Sequence, residues 1–432
     1  MPFEHLETPR RRIAVIGGGI TGLSAAYHLA DSHDVVLFEA ETRLGGHART
    51  LVAGKRGDQP VDTGFIVFNH VNYPGLLQMF RALDVPTAPS SMSFGASFDG
   101  GRCEYALSSL DAIFATRRNV ADPRFLRMIR DIVRFNRDGL AVAEGTDMTI
   151  GDLLAAMRTG PWFRDRYLQP FSGAIWSTPT ARIMDFPAAA MMAFFRNHGL
   201  LGYNGQHQWH TVQGGSREYV SRLARNLRNR GVDLRTGAVV AGARRTPVGV
   251  EVRARGCEWD AFDEVVFATH SDVTLRLLSD ATSSEAAALG AIRFQSNEAV
   301  LHRDTSVMPK RRKCWASWVY TERGPQDRAR ISLSYWMNSL QPIPHDDPLF
   351  VTLNATTPVR EDLIHDTYSF DHPLFDLAAL DAQKALAAMN GTANTWFAGA
   401  WMRNGFHEDG FATAAEVAHA ILARDVRTPA VA

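Results

Sequence analysis

The sequence predicts an α/β fold in which a parallel sheet is interrupted by an inserted α+β domain. Three observations predict it. A short apolar run at residues 13–16 ends in three glycines, continues with helical spacing and returns to an apolar run at residues 35–38. Buried-strand signals of the same kind recur at residues 262–270 and 395–400. Long stretches of different character lie between them, so the sheet is expected to collect its strands from separated parts of the chain.

The elements follow in order. Residues 20–30 place Leu23, Ala26, Tyr27 and Ala30 at helical spacing, and the small Ala25 and Ala26 permit close packing of helix on sheet. Residues 58–65 bring another strand and turn. From Tyr73 to about Phe195 the stretches 76–83, 125–135, 150–157 and 188–195 read as helices separated by Pro and Gly; their aromatics and methionines suit ordinary core packing or the wall of an apolar pocket. Residues 232–234, 238–240 and 249–253 read as strands, and 262–270 as a buried strand emerging into a loop. Alternation over 331–336 predicts a separate, more antiparallel sheet. Residues 395–400 read as a strand and 411–424 as a closing helix. The 432-residue chain is long enough for two domains. The expected division is 1–72, 205–290 and 391–432 for a discontinuous nucleotide-binding domain, with 73–204 and 291–390 for a substrate domain.

Composition excludes some functions. The 46 basic and 46 acidic residues cancel, which gives no support to an extended nucleic-acid surface, so no nucleic-acid partner is expected. Cys103, Cys257 and Cys314 are far apart and form no metal or redox spacing, so no metal site and no disulfide framework are expected. Residues 1–10 lack the apolar centre of a secretion signal, and no run is apolar and charge-free enough to cross a bilayer. A cytoplasmic location is expected. The basic, partly apolar stretch 124–130 adds an expectation of peripheral contact with the inner membrane surface.

Gly17, Gly19 and Gly22 fill Gly-x-Gly-x-x-Gly, with Gly18 inside the turn. Such glycines permit a tight turn, close approach of a diphosphate and tight helix packing, while helix-start amides meet the phosphate charge without a side-chain cation. Glu39, at the end of the next strand, is placed to accept hydrogen bonds from adenosine ribose hydroxyls, and its charge disfavours a phosphorylated ribose. These residues leave FAD and NAD both open. Arg43, Gly45 and Gly46 follow directly; the glycine pair lets backbone pass close to a cofactor and Arg43 can neutralise phosphate charge.

With that Arg-x-Gly-Gly element, the chain resembles the flavin-containing amine oxidase and phytoene desaturase-like superfamily. It is similar, more closely, to bacterial predicted NAD/FAD-binding proteins associated with modification of unsaturated or cyclopropane fatty acyl chains. The resemblance spans nearly the whole chain and is strongest at residues 17–50 and 395–415. It implies a Rossmann-like FAD-binding domain with an inserted α+β substrate domain, and non-covalent FAD. Gly17, Gly18, Gly19 and Gly22 are then near the pyrophosphate, Glu39 on the ribose, and Arg43, Gly45 and Gly46 at the second phosphate- and flavin-side element. Val239 matches the position whose backbone pairs with adenine; as a residue it reads equally as a strand-core valine. Gly399 matches the closing flavin motif, where it admits the ribityl-phosphate chain, and the amides around Gly410 and Phe411 are expected to face the flavin carbonyl. Ala400 stands where many amine oxidases place an acid, which argues against an ordinary amine oxidase.

The expected activity is an FAD-dependent oxidoreductase that oxidises or desaturates an apolar fatty-acyl or lipid substrate. A flavin-dependent isomerase without net oxidation and a non-enzymatic FAD- and lipid-binding protein are the alternatives, and the electron acceptor is left open. Lys310, within the basic run 310–313, is the one weak catalytic candidate. Its other reading is a solvated face. His210 and His270 read first as structural, and His407, Glu408 and Asp409 as part of the flavin-closing element rather than a metal shell. Cys314 reads as an inert thiol, and Ser216 as a helix-start hydroxyl.

Overall fold

The computed structural model describes residues 10–202, 207–324, 327 and 330–427. Most of the amino-terminal stretch read for a leader, and the expected boundary at 204 and 205, lie outside the described residues.

A five-stranded sheet carries the glycine turn. Its order is Asp233–Arg235, Asp34–Phe38, Arg12–Ile16, Glu264–Phe267 and Thr395–Phe397, with every neighbour parallel. The strands therefore come from three well-separated stretches of sequence. The short apolar runs make sense here because both faces are covered. Ile13 and Val15 enter one core with Leu23 of the helix Ile20–Leu29 and Ala414 and Ile421 of the helix His407–Arg427, whereas Ala14 and Ile16 enter a second core with Phe267 and Leu386. The twofold period of the strand divides the two cores.

A second, seven-stranded sheet runs in the order Ile364–Leu374, Arg293–His302, Phe350–Leu353, Leu333–Trp336, Trp318–Glu322, Phe94–Phe98 and Cys103–Ala106. It is antiparallel except where Trp318–Glu322 meets Phe94–Phe98. The antiparallel sheet expected around residues 331–336 is thus present, and larger than its local alternation shows. Phe94–Phe98 and Cys103–Ala106 lie in the stretch read as helices and turns. Both are buried at every residue, so they lack the alternation that marks a half-exposed strand, and Gly95 allows the Cys314 carbonyl to approach: a Cβ there would stand 2.5 Å from it.

The expected helices form as Pro74–Ala82, Pro123–Ala143, Ile150–Ala156 and Ala188–Asn197. Pro123–Ala143 starts cleanly because Asp122 accepts the Arg124 amide and Pro123 needs no amide partner. Its face of Phe125, Met128, Ile132 and Phe135 packs into the core that underlies the second sheet. No helix among the described residues is long and apolar enough to cross a membrane.

Candidate active site

One cavity of about 1030 Å³ joins the two sheets, at the top of the roughly 300–1,000 Å³ range of single-ligand sites. At one end it is walled by Gly17, Gly18, Gly19, Glu39, Gly45 and Gly46. Here the backbone is folded on itself. Gly17, at φ +111°, donates its amide to the Phe38 carbonyl, and the Gly45 amide donates to the Gly18 carbonyl, both at 2.8 Å. Gly22 lies outside the wall but makes it: a Cβ there would stand 1.8 Å from the Gly17 carbonyl oxygen. Glu39 is fixed by amides of Gly18 at 2.6 Å and Glu41 at 2.8 Å.

This donor set fits a dinucleotide. Backbone amides at the start of Ile20–Leu29 face the cavity next to glycines that leave space, and a carboxylate stands at the end of the second strand, where ribose hydroxyls need an acceptor. Among the described residues the wall contains no lysine or arginine, so phosphate charge would be met by amides alone.

The remaining expected cofactor residues divide. Gly399 lines the cavity, beside Ala400 and Trp401. Arg43 does not; it holds the glycine pair from behind, donating to the carbonyls of Gly46 at 2.9 Å and Ala48 at 3.2 Å. Val239 is also outside the wall. It follows Ala238, whose amide donates to the Glu39 carbonyl, and its own carbonyl accepts from Arg255. The amides around Gly410 and Phe411 were expected to face the cofactor, but the Gly410 amide is spent on the Phe406 carbonyl within the helix turn. Gly410 instead lets His407–Arg427 approach Thr21, and the Phe411 ring is buried against His28.

Lys310 stands apart from the cavity. Its amide and that of Arg311 donate to the buried Glu104 carboxylate at 2.8 and 3.0 Å, and the Arg311 guanidinium pairs with the same group. Lys313 pairs with Asp111, and Arg312 lies over the Trp315 ring. The basic run ties down the corner between Phe94–Phe98 and Cys103–Ala106 rather than reaching the site.

Beyond the glycines the wall carries imidazoles. His47, next after Gly46, lies with its ring centroid 5.8 Å from His270, 5.7 Å from His372 and 5.0 Å from Phe370. Burial first, and mutual repulsion second, push His47 well below the usual histidine range and His372 down to about 4; burial also lowers His270. All three are therefore neutral near pH 7. His407 stacks on Phe65 at 3.8 Å and is hydrogen-bonded to the Tyr219 hydroxyl at 2.6 Å, and burial pushes it down to about 3. Of the expected histidines, His270 is in the wall, whereas His210 stacks on His70 outside it. His47 and His372 were missed. His47 was in plain view beside the glycine pair; nothing local marks His372.

The acids after His407 are structural. Glu408 accepts the Gly75 and Leu76 amides at 2.8 and 2.9 Å, capping Pro74–Ala82, and Asp409 accepts the Phe406 amide at 2.9 Å. Cys314 is buried, which pushes its thiol up to about 12. Ser216 sits at the start of Arg217–Asn229 and gives both its amide and its hydroxyl to buried Asp62.

Residues 20–344 match the model of the flavin-containing amine oxidoreductase family. The chain belongs to that family. As a member it is an FAD-dependent oxidoreductase. A coproporphyrinogen III oxidase of Mycobacterium leprae is 26% identical over 332 residues, which cover 68% of each chain. Solved structures share the family fold at low identity. A fatty acid isomerase from P. acnes that produces CLA has TM-score 0.67 and 15% identity over 95% of this chain and 98% of its own. Cyclohexylamine oxidase from Brevibacterium oxydans has TM-score 0.67 and 14% identity over 97% and 100%.

Proposed function

We propose that this oxidoreductase oxidises or desaturates a largely apolar fatty-acyl or lipid substrate, with the division into cofactor and substrate domains expected from the sequence. The observation that carries the reading is the far end of the cavity, walled by Ile129, Ile132, Phe171, Ile175, Phe194 and Trp318. Such a surface holds an alkyl chain through burial of apolar area, about 25 cal/mol per Å². Ala400, also in the wall, puts a methyl group where an acid would favour an amine.

FAD, when bound, supplies the hydride acceptor. The chain's own residues do the rest. Gly17, Gly18, Gly19, Glu39, Gly45, Gly46 and Gly399 hold the cofactor, and Gly22, Arg43, Val239, Gly410 and Phe411 shape its surroundings. The aromatic and aliphatic wall excludes water and orients the chain. Loss of a hydride and a proton from adjacent carbons leaves a carbon–carbon double bond, and the proton needs an acceptor. His47, which burial keeps neutral in the cavity wall next to Gly46, is the candidate acceptor.

Peripheral membrane contact belongs to the same proposal. Ile129, Ile132, Val133 and Asn136 line the cavity from the helix Pro123–Ala143, whose adjoining face presents Leu126 and Val133, each 45% exposed, with Arg130 and Arg137 at helical spacing between and beyond them. An apolar ridge edged by arginines suits an anionic bilayer. Anaerobic bleaching of the flavin by a panel of acyl lipids tests the substrate reading. Substrate-dependent bleaching with a product two hydrogens lighter supports it; a product of unchanged mass, with no electron acceptor consumed, indicates isomerisation, and no response to any acyl lipid overturns it.

A further inference from the structure

One polar strip of the chamber wall holds His372, from the second sheet, and Ser177, which ends the helix Gln169–Trp176; Tyr335 lines the same chamber. Behind them lies Asn297, fully buried. Its Nδ2 donates to the Ser177 carbonyl at 3.1 Å and to His372 Nδ1 at 2.9 Å. Its Oδ1 accepts from Gln295 Nε2 at 3.0 Å and from Asn354 Nδ2 at 2.7 Å. Asn354 is in turn oriented by backbone, since its Nδ2 donates to the Ile331 carbonyl and its Oδ1 accepts the Glu298 amide.

This chain of partners fixes a tautomer. Asn354 is anchored at both ends by main chain, so Asn297 must present its amide nitrogen to His372. His372 Nδ1 is then an acceptor, and the neutral ring carries its proton on Nε2, at the opposite edge. Tyr335, elsewhere in the wall, is pushed up to about 12 by burial and is neutral as well. Ser177 itself holds a left-handed backbone conformation, φ +50°, which is uncommon outside glycine and is secured by the two side-chain amides, of Gln295 and Asn297, on its carbonyl.

The groups facing His372 decide what its donor can take. They are His47 and His270, both neutral, and Asp371, with His407 behind His47. Asp371, Glu39 and Glu41 line the cavity, and among the described residues no lysine or arginine does. A carboxylate drawn into this wall would find a neutral donor and other carboxylates but no cation, so its desolvation would go uncompensated. A carbonyl oxygen needs only the donor.

We propose that His372 forms a binding subsite for an uncharged carbonyl, so that the acyl substrate enters as an ester, amide or ketone rather than as a free acid, and that Asn297 is the residue that positions His372. The proposal rests on the acyl-substrate reading above. Its test does not require turnover.

Binding of methyl laurate, lauric acid, dodecylamine and dodecene to the FAD-loaded protein is measured by quenching of the tryptophans that line the cavity. The ester is expected to bind about tenfold tighter than the hydrocarbon, the scale of one well-made hydrogen bond. His372→Phe should bring the two within about twofold while leaving dodecene unchanged; His372→Gln, which keeps an N–H donor, should restore most of the preference. In parallel, ¹⁵N NMR of labelled histidine should show the Nε2–H tautomer at His372 in wild type and a mixture in Asn297→Leu. Tighter binding of lauric acid or dodecylamine than of the ester overturns the carbonyl assignment. An Nδ1–H tautomer in wild type overturns the positioning role of Asn297. If all four ligands fail to bind, the acyl-substrate reading falls and the carbonyl subsite falls with it, whereas the NMR result stands on its own.

Discussion

The amide of Gly18 donates to the carboxylate of Glu39 at 2.6 Å, across 21 residues of chain. One contact thus sets both the shape of the glycine turn and the direction of the acid that would meet a ribose. Glu39→Ala is expected to lower FAD retention by about tenfold or more, in keeping with loss of hydrogen bonds to a charged acceptor. FAD released per mole of purified protein, read by absorbance after denaturation, checks it; full flavin content in the variant would refute the assignment.

Two glycine substitutions should separate folding from cofactor binding. Gly19 has ordinary backbone angles, φ −74°, and a Cβ on it would come no nearer than 4.0 Å to Gly46 Cα. Gly19→Ala should therefore keep the stability of the apoprotein and lose flavin, because the methyl group fills the space beside the helix start. Gly22→Ala places its Cβ 1.8 Å from the Gly17 carbonyl oxygen and should lose both. Urea midpoints of the apoproteins, beside flavin content, distinguish the two outcomes.

Asp62 is buried and accepts from Ser216 amide and hydroxyl, Thr50 hydroxyl and the Gln341 amide nitrogen, so it joins the start of Arg217–Asn229 to the end of the short helix Met337–Leu340. Asp62→Ala leaves these donors without an acceptor and should cost about 2–4 kcal/mol. The shift in denaturation midpoint measures it, and a cost below about 1 kcal/mol would mean that water or another acceptor replaces the carboxylate.

Acid should destabilise the apoprotein. Burial holds His28, His302 and His372 at about 4 and His407 at about 3, all below the usual 6.5. The unfolded chain binds these protons first, so stability falls as pH drops from 6.5 toward 4. Asp62 and Asp409 act in the opposite sense, because burial raises both to about 6 and the folded state takes up their protons as pH falls. Four histidines outweigh two carboxylates, so the net slope is expected to be positive, about one to three kcal/mol per pH unit. Urea denaturation at pH 7, 6 and 5 reads the slope; equal midpoints would contradict it.

Lys310→Ala should leave flavin content and anaerobic bleaching rates unchanged within about twofold, since the backbone amide of Lys310, not its side chain, is what Glu104 uses. Glu104→Ala should destabilise the protein strongly by stranding the Arg311 guanidinium and three other donors, Ser97 hydroxyl among them. A Lys310→Ala variant that bound flavin but no longer bleached would restore the lysine as a candidate.

The glycine end of the site was legible because its geometry is local: a turn, a helix start and an acid on the next strand are spaced by the chain itself. The separated returns to the sheet were legible because strands buried on both faces leave dense apolar runs. Phe94–Phe98 was not, for the same reason without the flanking pattern: five consecutive buried residues carry no period. The Gly410 amide, expected to face the cofactor, is bonded to the Phe406 carbonyl within the helix turn, a partner that motif position does not reveal. The polar strip was out of reach. Asn297 and His372 meet only because Arg293–His302 pairs with Ile364–Leu374, and side-chain amides report no partner in a linear reading.

The central sheet places Arg12–Ile16 beside Glu264–Phe267, and that strand beside Thr395–Phe397. During translation, Gly17 is therefore made long before Gly399, its companion in the cavity wall. A chain that stopped before Thr395 would leave Glu264–Phe267 as an open edge of the sheet and the cavity wall without Gly399.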